Sequence, residues 1–169
     1  MAGVPPIVLQ IVQRLPESAQ EKLQAAMVRA FSDPYYPAVA SVPALFTLAY
    51  LPHLGKLFVR FKQTGLKYNN DTPRTEKDSD YPKIQARFSG AHLNALEMFP
   101  AFAAAVILAR IQKADPQRLV ALCISHLKLR LLYNVLYALG VNRLINAGRT
   151  TAWFLLLRNL LEIYSTGLF

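Results

Sequence analysis

The chain has 169 residues, of which 53% are hydrophobic and only 17% are charged. This length suits one domain, and so apolar a composition with positive mean hydropathy is typical of an integral membrane protein in contact with the lipid bilayer. The net charge of +9 does not indicate nucleic-acid binding, because the basic residues flank the apolar segments instead of forming one stripe with interleaved aromatics. A lone cysteine, Cys123, excludes an intrachain disulfide, and no spacing of residues suggests a metal site.

Residues 1–37 form an N-terminal segment that is too polar and too interrupted to span a bilayer. Apolar residues recur at helical spacing on both sides of Pro16, and Pro16 followed by Glu17 suits the first turn of a helix. The segment therefore predicts one or two amphipathic helices, which lie either on the membrane surface or against the rest of the protein. The run Asp33–Pro37 predicts an irregular hinge after them.

Residues 38–169 contain four long apolar segments, at about 38–61, 88–111, 119–140 and 151–169. Each has close to the roughly 20 residues that a helix needs to cross the hydrocarbon core. The pattern predicts an all-α bundle of four transmembrane helices, joined by a long polar loop and then by short turns at Gln112–Arg118 and Val141–Gly148. A soluble helical bundle is the alternative, but no segment shows the broad polar face that its helices would need.

The lysines and arginines near the ends of these segments predict an orientation. The first loop and the turn before the fourth segment together hold more of them than the opposite side does. Because positive residues favour the cytosolic side, we expect a cytosolic first loop with both termini across the membrane.

Polar residues at helical spacing mark a candidate site within the apolar segments. Asn94 and Glu97 are three residues apart in the second segment, and Arg130, Tyr133 and Tyr137 occupy one narrow face of the third. Ionisable residues inside a membrane are costly unless they face protein or a wet cavity. The two faces therefore predict a site for a small, anionic, peptide-like ligand near the cytosolic side.

Structural roles are the alternative for several of these residues. Glu97 and Arg130 could form an ion pair that only locks two helices together. Arg158 and Glu162, four residues apart, suit a structural or subunit-contact pair. His126 is expected to be a core histidine and not a ligand contact.

The same residues resemble a known family. Residues 91–97, followed by Phe99 and Pro100, are similar to the second-helix signature of the MAPEG family, the membrane-associated proteins in eicosanoid and glutathione metabolism. The pattern from Arg130 to Tyr137 resembles the third-helix motif of that family, and Arg149, four residues before Trp153, resembles the arginine at the start of its fourth helix. The resemblance covers about residues 38–169.

The resemblance implies a homotrimer that holds glutathione, as co-substrate, between neighbouring subunits near the cytosolic side. It implies an activity like that of the microsomal glutathione transferases: transfer to, or reduction or isomerisation of, a lipophilic substrate in the endoplasmic reticulum or another intracellular membrane. Arg149 would steady the thiolate, with Arg143 as the competing candidate. The other implied glutathione-binding residues are Asn94, Glu97, Tyr133 and Tyr137, with Arg130 in support.

Two positions depart from the family pattern. Gly90 stands where leukotriene C4 synthase and microsomal transferases have an arginine, and Met98 stands where some members have a tyrosine. Arg87, one turn before Gly90, is the candidate substitute for the missing arginine. These departures leave a second expectation, a non-catalytic membrane scaffold that keeps the fold without the thiol chemistry.

Overall fold

The computed structural model describes residues 15–65 and 83–166, in which all regular secondary structure is α-helical. The chain divides into two compact units, Met1–Tyr36 and Pro37–Phe169. The all-helical expectation is confirmed for the described residues.

The first unit contains α1, Glu17–Ser32. The helix starts directly after Pro16, as the sequence predicts. The carbonyl of Pro16 accepts backbone hydrogen bonds from Ala19 and Gln20 at 2.8 and 3.0 Å, which form the first turn. The acidic side chain of Glu17 lies in the first turn, near the positive end of the helix dipole. The predicted helical residues before Pro16 lie outside the described part of the chain. The two alternatives for this segment, membrane surface or protein contact, stay predictions.

Four longer helices follow: α2, Tyr36–Thr64; α3, Lys83–Ile111; α4, Pro116–Leu139; and α5, Arg143–Ser165. Of the described helices, α2, α3 and α4 are long and apolar enough to cross a membrane. Three of the four predicted spans therefore meet that condition, and a membrane span at α5 stays a prediction.

The predicted turn at Val141–Gly148 is wrong, because α5 begins at Arg143 and not at about Thr151. The side chain of Asn142 caps the helix by accepting a hydrogen bond from the backbone N–H of Ile145 at 2.9 Å. Gly148 lies inside α5 and does not end it. Arg149 is consequently in the second turn of the helix.

The helices α3, α4 and α5 pack against one another around a core of buried side chains. His126 belongs to this core: it is fully buried, stacks on Phe102 with ring centroids 4.5 Å apart, and places Nδ1 3.0 Å from Oδ1 of Asn159. The outer surfaces of the helices are apolar instead. On α2 the large exposed side chains include Phe46, Leu51, Leu54, Phe58 and Phe61. A surface of this kind fits a lipid environment and argues against the soluble bundle.

Pro52 lies inside α2 and lacks the N–H that would bond the carbonyl of Leu48. The side-chain amide of Asn134, on α4, donates to that carbonyl at 3.1 Å. His92, on α3, places Nδ1 2.7 Å from the next carbonyl, that of Ala49. Because a carbonyl only accepts, Nδ1 is the protonated nitrogen of His92. The Asn134 side chain thus replaces the donor that Pro52 removes, as membrane helices require, and His92 adds a bond to the neighbouring carbonyl.

We expect Asn134→Leu to lower the free energy of unfolding by about 1 kcal/mol, because it leaves the Leu48 carbonyl without a donor. In a Pro52→Ala background the restored backbone N–H supplies the donor, so the same substitution should cost clearly less. A Pro43→Ala background is the matched control, since Pro43 frees a different carbonyl of the same helix. Denaturant unfolding in detergent micelles measures all of these variants. An equal cost of Asn134→Leu in every background would contradict the assignment.

Candidate functional site

A cleft of about 230 Å³ opens between α3, α4 and α5. The structure therefore brings together polar residues of the second and third apolar segments with Arg149, which the family resemblance placed at the start of the fourth helix. The residues that line the cleft are Asn94, Tyr133, Tyr137, Arg149, Thr150 and Trp153.

One wall of the cleft is formed by two phenol rings and a guanidinium in contact with one another. The rings of Tyr133 and Tyr137 meet edge to face, with centroids 5.5 Å apart. Cζ of Arg149 lies 4.5 Å from the centroid of the Tyr137 ring, a cation–π distance. Arg149 makes no hydrogen bond and no ion pair with any residue that the structure describes. Its five N–H donors are therefore available to an anionic ligand.

Arg130 lies behind the cleft and does not line it. Its side chain is fully buried, and Nη1 donates to Oδ1 of Asn94 at 3.1 Å. Its Cζ also lies 5.1 Å from the centroid of the Tyr133 ring. Since Oδ1 of Asn94 is occupied by Arg130, the side-chain NH₂ of Asn94 is the group left to donate to a ligand. Arg130 thus supports the site from the interior.

Glu97 is not brought into the cleft by the fold of a single chain. It lies about one turn beyond Asn94 on α3, its side chain is exposed, and it is absent from the cleft lining. Within the described residues it forms no ion pair with Arg130, whose side chain bonds Asn94 instead. The alternative role for Glu97 and Arg130, a structural ion pair between two helices, is therefore not seen in this structure.

Of the two arginines near the start of α5, the cleft includes Arg149 alone. Arg143 is the first residue of the helix and is exposed. Arg87 donates from Nη1 to the carbonyl of Gly140 at 2.9 Å, at the negative end of the α4 dipole. It is therefore engaged by the end of α4 and does not replace a guanidinium at position 90. The same bond places the start of α3 beside the α4–α5 turn.

The structure gives a packing explanation for Gly90, one of the two departures from the family pattern, and shows what Met98, the other, packs against. A Cβ atom on Gly90 would lie 2.5 Å from Oη and 2.9 Å from Cζ of Tyr137, so the Tyr137 ring already fills the space beside this glycine. Met98 packs against the buried cluster formed by Tyr133, Ala152 and Leu156.

Sequence reasoning missed Thr150 as a lining residue and used Trp153 only as a motif neighbour. Helical spacing from Arg149 could have identified Trp153, because residues four apart share a helix face. The hydroxyl of Thr150 donates to the carbonyl of Asn146 at 3.1 Å, so its proton is not available to a ligand. Arg158 and Glu162 do form the predicted pair, at 2.9 Å, away from the cleft. In the described ranges no three His, Cys, Asp or Glu residues are grouped as metal ligands.

We expect Arg130→Gln to lower the free energy of unfolding by about 2–4 kcal/mol, because it removes a buried charged donor and leaves Oδ1 of Asn94 unpaired. Arg118→Gln is the matched control: Arg118 is an exposed arginine of the same helix and should change stability little. Chemical denaturation in micelles measures both variants. Similar losses for the two would mean that the buried hydrogen bond does not anchor the site.

Comparison with models of known protein families gives a match over most of the chain. The MAPEG family model matches residues 36–163, which include all of α2, α3 and α4 and α5 as far as Ile163. Searches of curated proteins and of solved structures give no significant match.

Proposed function

The chain belongs to the MAPEG family of membrane proteins, and we propose on that basis that it is an enzyme that binds glutathione as co-substrate. The second substrate is a lipophilic molecule that reaches the cleft from the bilayer. The glutathione sulfur, as thiolate, is the nucleophile in this reaction, whether the outcome is thiol transfer, peroxide reduction or isomerisation.

The observation that carries the proposal is the free guanidinium of Arg149 in a cleft with Asn94 and two phenols. A thiol of pKa about 8.5 is mostly protonated at neutral pH. Lowering that pKa by one unit takes about 1.4 kcal/mol of preferential interaction with the thiolate. A guanidinium in a partly buried cleft can supply an effect of this size. Arg149 is thus the proposed catalytic residue.

The remaining polar groups suit the rest of a peptide. The hydroxyls of Tyr133 and Tyr137 and the side-chain NH₂ of Asn94 can bond the amide carbonyls and a carboxylate of glutathione. Glu97 suits its ammonium group, but it lies on the exposed surface of a single chain.

Two features support a site completed by a neighbouring subunit. The cleft volume of about 230 Å³ is below the roughly 300–1,000 Å³ of typical ligand pockets. Glu97, which the family resemblance assigns to glutathione, lies outside that cleft. A homotrimer with α5 as a fourth membrane span would place Glu97 and the cleft at a subunit boundary. We propose this assembly, with the cleft at the cytosolic face of the endoplasmic reticulum or another intracellular membrane.

We expect Arg149→Gln to abolish most of the thiolate signal of bound glutathione, because the cation beside the sulfur is lost. Arg143→Gln, an exposed arginine of the same helix, is the control and should retain it. The measurement is ultraviolet thiolate absorbance of the protein with glutathione, after subtraction of the protein with S-methylglutathione. Loss of the signal in the Arg143 variant, and not in the Arg149 variant, would reverse the assignment.

The absence of an arginine at position 90 favours one other function, a membrane scaffold without thiol chemistry. Calorimetry on the purified protein separates the two. Failure to bind glutathione, together with no conjugation of a generic electrophile, would refute the enzyme and leave the scaffold. In the scaffold, Arg149→Ala should leave any cellular phenotype intact, whereas Glu97→Ala should disrupt assembly.

A further inference from the structure

Gly90 lies in the interior of α3, where a glycine weakens the helix because it is conformationally free and has no side chain to pack. The structure supplies a reason for it. A Cβ atom at this position would lie 2.5, 2.9 and 3.1 Å from Oη, Cζ and Cε1 of Tyr137. The first two distances are shorter than real Cβ atoms show, so a side chain at position 90 requires the tyrosine ring to shift.

A shift of the Tyr137 ring would also change the position of the Arg149 guanidinium, which rests on it. The hydroxyl end of Tyr137 abuts Gly90, while the guanidinium of Arg149 lies over the ring at 4.5 Å from its centroid. No described residue offers Arg149 a hydrogen bond or an ion pair that could hold it in another way. Gly90, Tyr137 and Arg149 therefore form a series of contacts across α3, α4 and α5.

We propose that Gly90 and Tyr137 form a seat that positions the Arg149 guanidinium for an anionic group of the ligand. Tyr137 is then a positioning residue for Arg149, and Gly90 leaves the space in which the Tyr137 ring lies. That the anionic group is the sulfur of glutathione rests on the proposed function; the seat itself rests on the contacts alone.

An aromatic seat has a chemical advantage over an ion pair. A carboxylate would occupy the N–H donors of Arg149 and offset its charge, whereas a ring supports the guanidinium plane and leaves both free. The seat also explains the departure at position 90. An arginine at position 90 would occupy the space that the Tyr137 ring now fills. The better-known relatives have an arginine at this position, whereas this site has Arg149 supported by the phenol ring of Tyr137.

The first test concerns the contacts and needs no ligand. We expect Gly90→Ala to lower the melting temperature in micelles, although alanine normally stabilises a helix interior. In a Tyr137→Leu background the same substitution should no longer lower it. Gly148→Ala is the matched control, because a Cβ there would make only an ordinary contact, 3.8 Å from Leu136. If Gly90→Ala is as harmless as Gly148→Ala, or equally harmful in both backgrounds, the seat is overturned.

The second test concerns the positioning of Arg149. Calorimetry compares glutathione sulfonate, which has a fixed negative charge at the sulfur, with S-methylglutathione, whose sulfur is neutral. We expect the native protein to prefer the sulfonate by about ten-fold, an effect of the size of one charged hydrogen bond. Tyr137→Phe, which keeps the ring, should retain this ratio even if the affinity for both ligands falls. Tyr137→Leu and Gly90→Ala should reduce the ratio to that of Arg149→Gln.

The two tests fail in different ways. A native preference that persists in Tyr137→Leu would overturn the positioning role while leaving glutathione binding intact. If the native protein binds neither ligand, the proposed function fails, and the melting temperatures of the Gly90 and Tyr137 variants alone decide whether the seat exists.

Discussion

The hydrogen bond from Arg130 to Asn94 is the interaction on which the cleft depends. Arg130 is the largest fully buried side chain of the described residues, and a buried guanidinium is costly unless it is hydrogen-bonded. Its bond to Oδ1 of Asn94 joins α4 to α3, and its Cζ lies 5.1 Å from the centroid of the Tyr133 ring. Asn94 and Tyr133 are thereby held at the positions from which both line the cleft.

A second constraint fixes α2 against the same two helices. Pro52, in α2, frees the carbonyl of Leu48. Water cannot reach this carbonyl in hydrocarbon, so a neighbouring side chain must bond it. Asn134, which follows Tyr133, supplies that bond, while His92, two residues before Asn94, bonds the next carbonyl. Both α3 and α4 therefore have one residue that lines the cleft and another, close in sequence, that bonds the backbone of α2.

The polar chemistry is concentrated at one end of the bundle. Arg87 ties the start of α3 to the end of α4, and the cleft opens near the α4–α5 turn at the same end. The Tyr137 ring there supports Arg149 without consuming its donors. This arrangement is consistent with the thiolate site proposed for this MAPEG protein, and it accounts for Gly90 as a packing requirement of Tyr137.

The sequence by itself determined the helical class, the apolar segments, the family and the helix faces that contain Asn94, Arg130, Tyr133 and Tyr137. Hydropathy and the helical period are local properties, so they can be read without knowledge of the packing. Only the tertiary structure decided that Asn94 and not Glu97 bonds Arg130, that Arg149 and not Arg143 lines the cleft, and that Tyr137 fills the space at Gly90. Each of these depends on the rotation and separation of helices distant in sequence, and a shift of a few ångströms changes which side chains meet.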